Sequence, residues 1–353
     1  MLLSSDCVAA PAASAYVPPF DTSAPASAPE AADCAPVPAA VVSLALESRY
    51  APGDLTASHA VPERQAAYER AFKPVQTFLK SVVLDANRFT LHGDRGAANG
   101  ACALRHLAEW ARADGLSDIQ NSTAEFKLTT TLAGLALAYM QVKPMEASAQ
   151  DRIDIEDWMK DRAAAVRAYV EAHPESPTTR NNQRYWSGLA VAAVGVATGS
   201  RQDFDWGMDS FRLGACDVTP EGALPMEVKR GELALDYHVY SLSPLVMLAE
   251  IGARNGVDTY GMCDGGLKRL GTFTLQQMDD PSRLEALTGE PQKPALRNGA
   301  LSKSQGAWLV AYSRRFALAD RWRERIADQP RLAMAETGGD QRILFGRDGG
   351  RPQ

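Results

Sequence analysis

Residues 185–199 read YWSGLAVAAVGVATG, without one charged side chain. A helix of that composition is apolar on every side, so it must be packed against from more than one direction. The neighbouring sequence is of a milder kind. In ERQAAYERAFKPVQTFLKSVVLDANRF, CALRHLAEWARADG, TTTLAGLALAYMQV and DIEDWMKDRAAAVRAYVEAHP, apolar residues recur at spacings of three and four, with Gly or Pro between runs. The pattern continues in FDWGMDSFRLGAC, SPLVMLAEIGARNG, LKRLGTFTLQQM and SKSQGAWLVAYSRRF, and alternating runs of useful length are absent. These spacings predict an all-α chain of nine or more helices in antiparallel hairpins. Fully apolar helices beside one-sided ones call for two layers. A double layer curved into an (α/α) toroid, an incomplete α/α barrel, meets that need better than a four-helix bundle. Ser243 with Pro244 reads as an N-cap and first-turn pair, and Gly199 and Gly256 as left-handed helix ends.

Residues 1–40 are rich in Ala, Pro and Ser and hold few large apolar groups, so they read as an extended or partly disordered leader. Residues 41–353 then form a single domain. The net charge of −6 argues against nucleic acid as a partner, since such binding needs a basic stripe. No apolar run is long enough for a membrane span. The first residues, MLLSSDCVAAPAAS, lack the basic and long apolar regions of an intact signal peptide and read as a processed or recloned mature terminus. The five cysteines, Cys7, Cys34, Cys102, Cys216 and Cys263, match no zinc spacing, and arithmetic alone leaves their pairing open.

Two stretches could carry chemistry. NNQRYW, residues 181–186, reads as a polar helix cap or as a substrate-facing group. EVKRGELALDYHVYSLSP, residues 227–244, gathers Lys229, Arg230, Tyr237, His238 and Tyr240. A helix across residues 230–237 puts Arg230 and Tyr237 on one face, two turns apart. A cation there favours the Tyr237 phenolate, and lowering a tyrosine pKa from near ~10 by three units takes about 4 kcal/mol. Set against this, spacing alone favours Tyr237 and His238 as hydrogen-bonded core residues, and Trp186 and Trp206 as core rather than sugar platforms. Glu156 with Asp157 reads as solvated helix surface. There is no GxSxG, HExxH, P-loop or CxxC motif.

Taken together, NNQRYW, FDW, GALPMEVKRGELALDYHVYSLSPLVMLAEIGARNGVD, GGLKRLG and GGDQRILFG resemble the periplasmic alginate lyases of polysaccharide lyase family 5, from about Cys34 to near the C-terminus. The resemblance implies an (α/α) toroid with a deep cleft, and β-elimination on a uronate polymer without metal or other cofactor. It places the catalytic base and acid on Tyr237, and the groups that neutralise the substrate carboxylate on Asn182 and Arg230. Gln183 completes the catalytic set by position. Asn181, Arg184, Tyr185, Lys229, His238, Tyr240, Lys127 and Glu336 are the substrate-binding candidates. The resemblance also implies a disulfide between Cys34 and Cys102, and with it a periplasmic or secreted protein. Its partner is an anionic polysaccharide, and a monomer is the default.

Departures from the family pattern cluster at the substrate. Gln183 stands where the family has His, so no imidazole can titrate there and the proton transfers fall to Tyr237. Glu336 stands where the family has Arg, and a lost guanidinium weakens an anion site by about 1.5–3 kcal/mol. Ser122, Glu125 and Thr130 replace a His, a Lys and a Trp, with Lys127 a partial compensation. The polymer therefore need not be polymannuronate: glucuronan, or an exopolysaccharide with uronate at intervals, is an alternative. A non-catalytic polyuronate-binding or export protein on the same fold is the competing reading. A glycosidase needs two carboxylates across a cleft, and no such pair stands out.

Overall fold

A computed structural model describes residues 16–27, 32–54, 60–293 and 302–346. Its helices are α1 (Pro62–His92), α2 (Ala97–Arg112), α3 (Ser122–Val142), α4 (Ala149–Ala172), α5 (Asn182–Thr198), α6 (Arg201–Cys216), α7 (Pro225–Val228), α8 (Ala234–Arg254) and α9 (Met262–Asp279). The short helices Ser282–Thr288, Trp308–Ser313, Asp320–Asp328 and Gln341–Phe345 follow. The chain is all-α, and the strands among the described residues are two pairs of two residues, too short to show a period in sequence. No described helix is long and apolar enough to cross a membrane.

The two layers follow from the two kinds of helix. α1 packs on α3, α3 on α5, α5 on α8, and α8 on Trp308–Ser313, forming an inner arc. α2 lies against α1, α4 against α5, α6 against α5, and α9 against α6 and α8. Every residue from Leu128 to Val142, from Tyr185 to Ala197 and from Ser241 to Gly252 is buried, the all-round burial that the YWSGLAVAAVGVATG run demands. α2 and α4, by contrast, bury one face only. The result is an incomplete (α/α) toroid.

The close approach of α6 to α5 depends on missing side chains. A Cβ on Gly207 of α6 would stand 2.3 Å from the Ala192 Cβ and 2.7 Å from the Gly188 carbonyl oxygen of α5. Gly199 ends α5 in the left-handed region at φ +78°, as its position predicts. Ser243 and Pro244, by contrast, do not start a helix. They lie buried in the middle of α8, because the apolar face runs unbroken through them and its burial outweighs the one backbone bond that proline removes.

The middle of the arc is filled by the C-terminal segment. The turn Ala335–Thr337 touches α1, α3 and α8. Buried Asn87 of α1 fixes it, donating to the Gly338 carbonyl at 2.8 Å and to Gln141 at 2.9 Å and accepting from the Asp340 amide at 2.7 Å. Residues 16–27 are extended, yet they run along the toroid and bury Phe20, while Tyr16 stacks on Phe204 at 4.6 Å. Cys34 is bonded to Cys102, with Cα atoms 5.4 Å apart. A second bridge, Cys216–Cys263, ties α6 to α9, and Cys7 lies outside the described residues.

Candidate active site

A cleft of about 690 Å3 opens where the first turns of α3, α5 and α8 meet the Ser48–Tyr50 loop and Ser304–Gln305. Asn182 and Gln183 reach it because α5 starts there. Asn181 is the N-cap, its Oδ1 accepting from the Gln183 amide at 2.9 Å, so Asn182 and Gln183 occupy the first helical positions. Asn181 itself serves the helix and does not line the cleft.

Arg230 and Tyr237 do meet, but not along one α-helix. Gly231, at φ +57°, opens a 3-10 turn over Gly231–Leu233 before α8 begins at Ala234. The turn folds the Arg230 guanidinium over the Tyr237 ring, 4.4 Å from its centre. Beneath them lies Glu227, fully buried. One of its oxygens accepts from the Asn182 backbone amide at 2.8 Å, its two oxygens lie 3.1 and 3.2 Å from Asn182 Nδ2, and Arg230 Nε is 3.7 Å away. Burial pushes the Glu227 carboxyl above its ordinary pKa, against the pull of those donors. Glu227 thus fixes both candidate neutralisers in one orientation.

Tyr237 departs from expectation in its protonation. Burial is the largest influence and raises its pKa; neighbouring Tyr50, hydrogen-bonded to Tyr237, raises it further, and Arg230 lowers it by less. One guanidinium does not overcome desolvation of the phenol. Tyr50 in turn accepts from Arg49 Nη2 at 2.8 Å. Gln183, Tyr240 and Lys127 line the same cleft. Tyr240 packs against Trp186, with ring centres 5.3 Å apart. Lys127 lies over the Phe72 and Phe126 rings, and burial lowers its pKa while Glu336 raises it. Glu336 is half-buried behind that wall.

Several candidates lie elsewhere. Tyr185 is fully buried in the α5 core, because the turn that brings Asn182 to the cleft carries residue 185 round to the packed side. His238 is fully buried; its Nε2 accepts from the Leu224 amide at 2.9 Å and its Nδ1 contacts the Ala234 carbonyl at 2.7 Å, so both ring nitrogens are spent on backbone. Arg184 stacks 3.9 Å from the Trp206 ring centre, and Trp206 donates to Glu171, which makes that indole a seat for an arginine rather than core or sugar platform. Lys229 is exposed and does not line the cleft. Glu156 is not simply solvated either, since it accepts from Tyr139 and pairs with Lys143, both at 2.9 Å. Sequence reasoning missed Arg49, Tyr50 and Tyr68, which belong to a loop and to α1, far from both motifs. It also missed Glu227, whose signal was present three residues before Arg230.

A family model described as alginate lyase matches residues 45–284. The alginate lyase of Azotobacter chroococcum is 32% identical over 355 residues, covering 98% of this chain and 92% of that protein. The alginate lyase of Pseudomonas paraeruginosa is 30% identical over 315 residues, covering 87% and 84%. The fold is that of alginate lyase A1-III from Sphingomonas species A1, with a TM-score of 0.76 at 21% identity, covering 90% of this chain and 88% of that one. A variant of A1-III complexed with tetrasaccharide superposes with a TM-score of 0.77. On the family match and these relatives, the chain belongs to the alginate lyase family.

Proposed function

We propose that this polysaccharide lyase, a carbon–oxygen lyase by its family, cleaves a uronate-containing polymer by β-elimination in the Tyr237 cleft. The observation that carries the reading is the convergence of Asn182, Arg230 and Tyr237 on one wall, with Glu227 locking the first two. The sugar carboxylate sits against Arg230 and the Asn182 amide. That amide has two hydrogens, and the Glu227 carboxylate can share one of them. Donors held in place lower the cost of the charge that grows on the carboxylate as C5 loses its proton.

Tyr237, as phenolate, takes the C5 proton. The C4–C5 double bond forms, the C4–O bond breaks with its electron pair on oxygen, and that oxygen takes the proton from Tyr237. The phenolate is restored and no co-reactant is consumed. Gln183 hydrogen-bonds the sugar but cannot exchange protons. Two disulfides support a periplasmic or secreted location, where thiols are oxidised. A binding-only protein has no need to keep the triad and its buried positioning carboxylate, which disfavours that reading.

The test is incubation with mannuronan, glucuronan and alginate, following the ultraviolet absorbance of the 4,5-unsaturated uronate. Tyr237→Phe is expected to abolish the signal while polymer binding is kept. No absorbance from the wild type with any uronate polymer overturns the proposal.

A further inference from the structure

Three cations line the cleft among the described residues, and two of them are engaged. Arg230 lies 3.7 Å from buried Glu227, and Arg49 donates to the Tyr50 hydroxyl at 2.8 Å. Lys127 is different. Its ammonium makes no hydrogen bond or ion pair among the described residues, and lies 5.4 Å from the ring centre of Phe72 and 5.6 Å from that of Phe126. Two rings hold the cation in place without using any of its three donors. Phe126 in turn meets Tyr240, with ring centres 6.5 Å apart, and Tyr240 stands one helical turn from Tyr237 on α8. Lys127 therefore sits beside the catalytic centre without belonging to it.

What stands behind Lys127 keeps it charged. Gly134 lies two turns further along the same face of α3, and a Cβ there would stand 2.4 Å from the Ala335 carbonyl oxygen and 3.0 Å from Glu336 Cα. That missing side chain lets the Ala335–Thr337 turn rest on α3, which puts the Glu336 carboxylate within electrostatic reach of Lys127 but outside the cleft lining. Burial favours the neutral amine, and Glu336 opposes it. The arrangement repeats that of Asn182 and Arg230, donors in the cleft with the Glu227 carboxylate behind them. A cleft of about 690 Å3 is of the size that encloses a drug-sized ligand, so more than one sugar fits. We propose that Lys127 holds the carboxylate of a second uronate on the same chain while Asn182 and Arg230 hold that of the sugar being cleaved, so that the enzyme favours runs of uronate over isolated ones. This rests on the lyase reading and names the residue that reads a run.

The experiment measures KM and kcat, by the unsaturated product, for the wild type, Lys127→Met, Lys127→Gln and Lys127→Arg on intact mannuronan and glucuronan. The same polymers are also used after their carboxyls have been reduced to primary alcohols until most remaining uronates stand alone. On the intact polymers, Lys127→Met and Lys127→Gln are expected to raise KM about tenfold, the loss of one charge-assisted hydrogen bond, with kcat within about twofold of the wild type. Lys127→Arg keeps the cation and is expected to restore most of the affinity. On the reduced polymers the second carboxylate is gone, so the variants and the wild type should share one KM. An unchanged KM on the intact polymers overturns the role of Lys127 and leaves the lyase standing. So does an equal rise on intact and reduced polymers, which makes Lys127 a residue that only shapes the cleft. Product from the wild type on none of these polymers overturns both readings.

Discussion

Tyr237 is held between two opposing influences. Burial and the Tyr50 hydrogen bond keep its proton, while Arg230 across its ring favours the phenolate. The base is the deprotonated form, so kcat/KM is expected to climb with pH through the alkaline range, and a profile that falls above neutrality contradicts Tyr237 as base. Gln183→His would place an imidazole, with an ordinary pKa near ~6.5, in the same cleft. A second ionisation is expected in that variant's pH–rate profile and not in the wild type's. Glu227 acts one step removed, as a positioning residue. Glu227→Ala strands the Asn182 donors in the interior, at a cost of about 1–3 kcal/mol for each unmet group, and kcat should fall more than KM rises. The residue types of this site were legible in NNQRYW and EVKRGELALDYHVY, since amides, a guanidinium and a phenol at those places already suggest carboxylate chemistry. Their proton affinities were not, because desolvation depends on what packs around each group and not on spacing.

At the scale of elements, α5 and α6 approach closely through Gly188 and Gly207. Gly207→Ala has to push α5 away at Ala192 and Gly188, and overpacking of that kind costs about 1–3 kcal/mol, readable as a lower midpoint in urea unfolding. The Cys216–Cys263 bridge joins α6 to the start of α9, where Cys263, Asp264 and Gly265 all have positive φ. Two non-glycine residues in the left-handed region are costly unless something holds them there. Replacing both cysteines with Ser is expected to lower stability by about 2–4 kcal/mol without changing the cleft, checked by unfolding midpoint and kcat together. Most helices could be placed from period alone. The start of α8 could not, because Ser243–Pro244 imitates a cap so well that only the burial of both sides of that segment rules it out.

For the molecule as a whole, two buried groups titrate over the same pH range with opposite effect. Burial lowers the His238 pKa from 6.5 to about 4, so the unfolded chain binds a proton there first. Stability from this group is complete above about 6.5, and about 3 kcal/mol is lost as pH falls to about 4. Glu125 goes the other way. Its carboxyl is raised from 4.5 to about 7, so the folded state binds the extra proton, and stability falls as pH rises through that window. Glu125→Gln is therefore expected to raise Tm at pH 8 and to expose a steeper loss on acidification, whereas an unchanged pH profile would remove Glu125 from the balance. By itself the sequence determined the helical class, the two-layer need and the two motifs, because periodicity and side-chain chemistry are local properties. Only the tertiary structure decided that Tyr185 and His238 belong to the core and that Arg49, Tyr50 and Glu227 join the site. Those facts come from which helix faces which across the toroid, and no spacing along the chain encodes that distance.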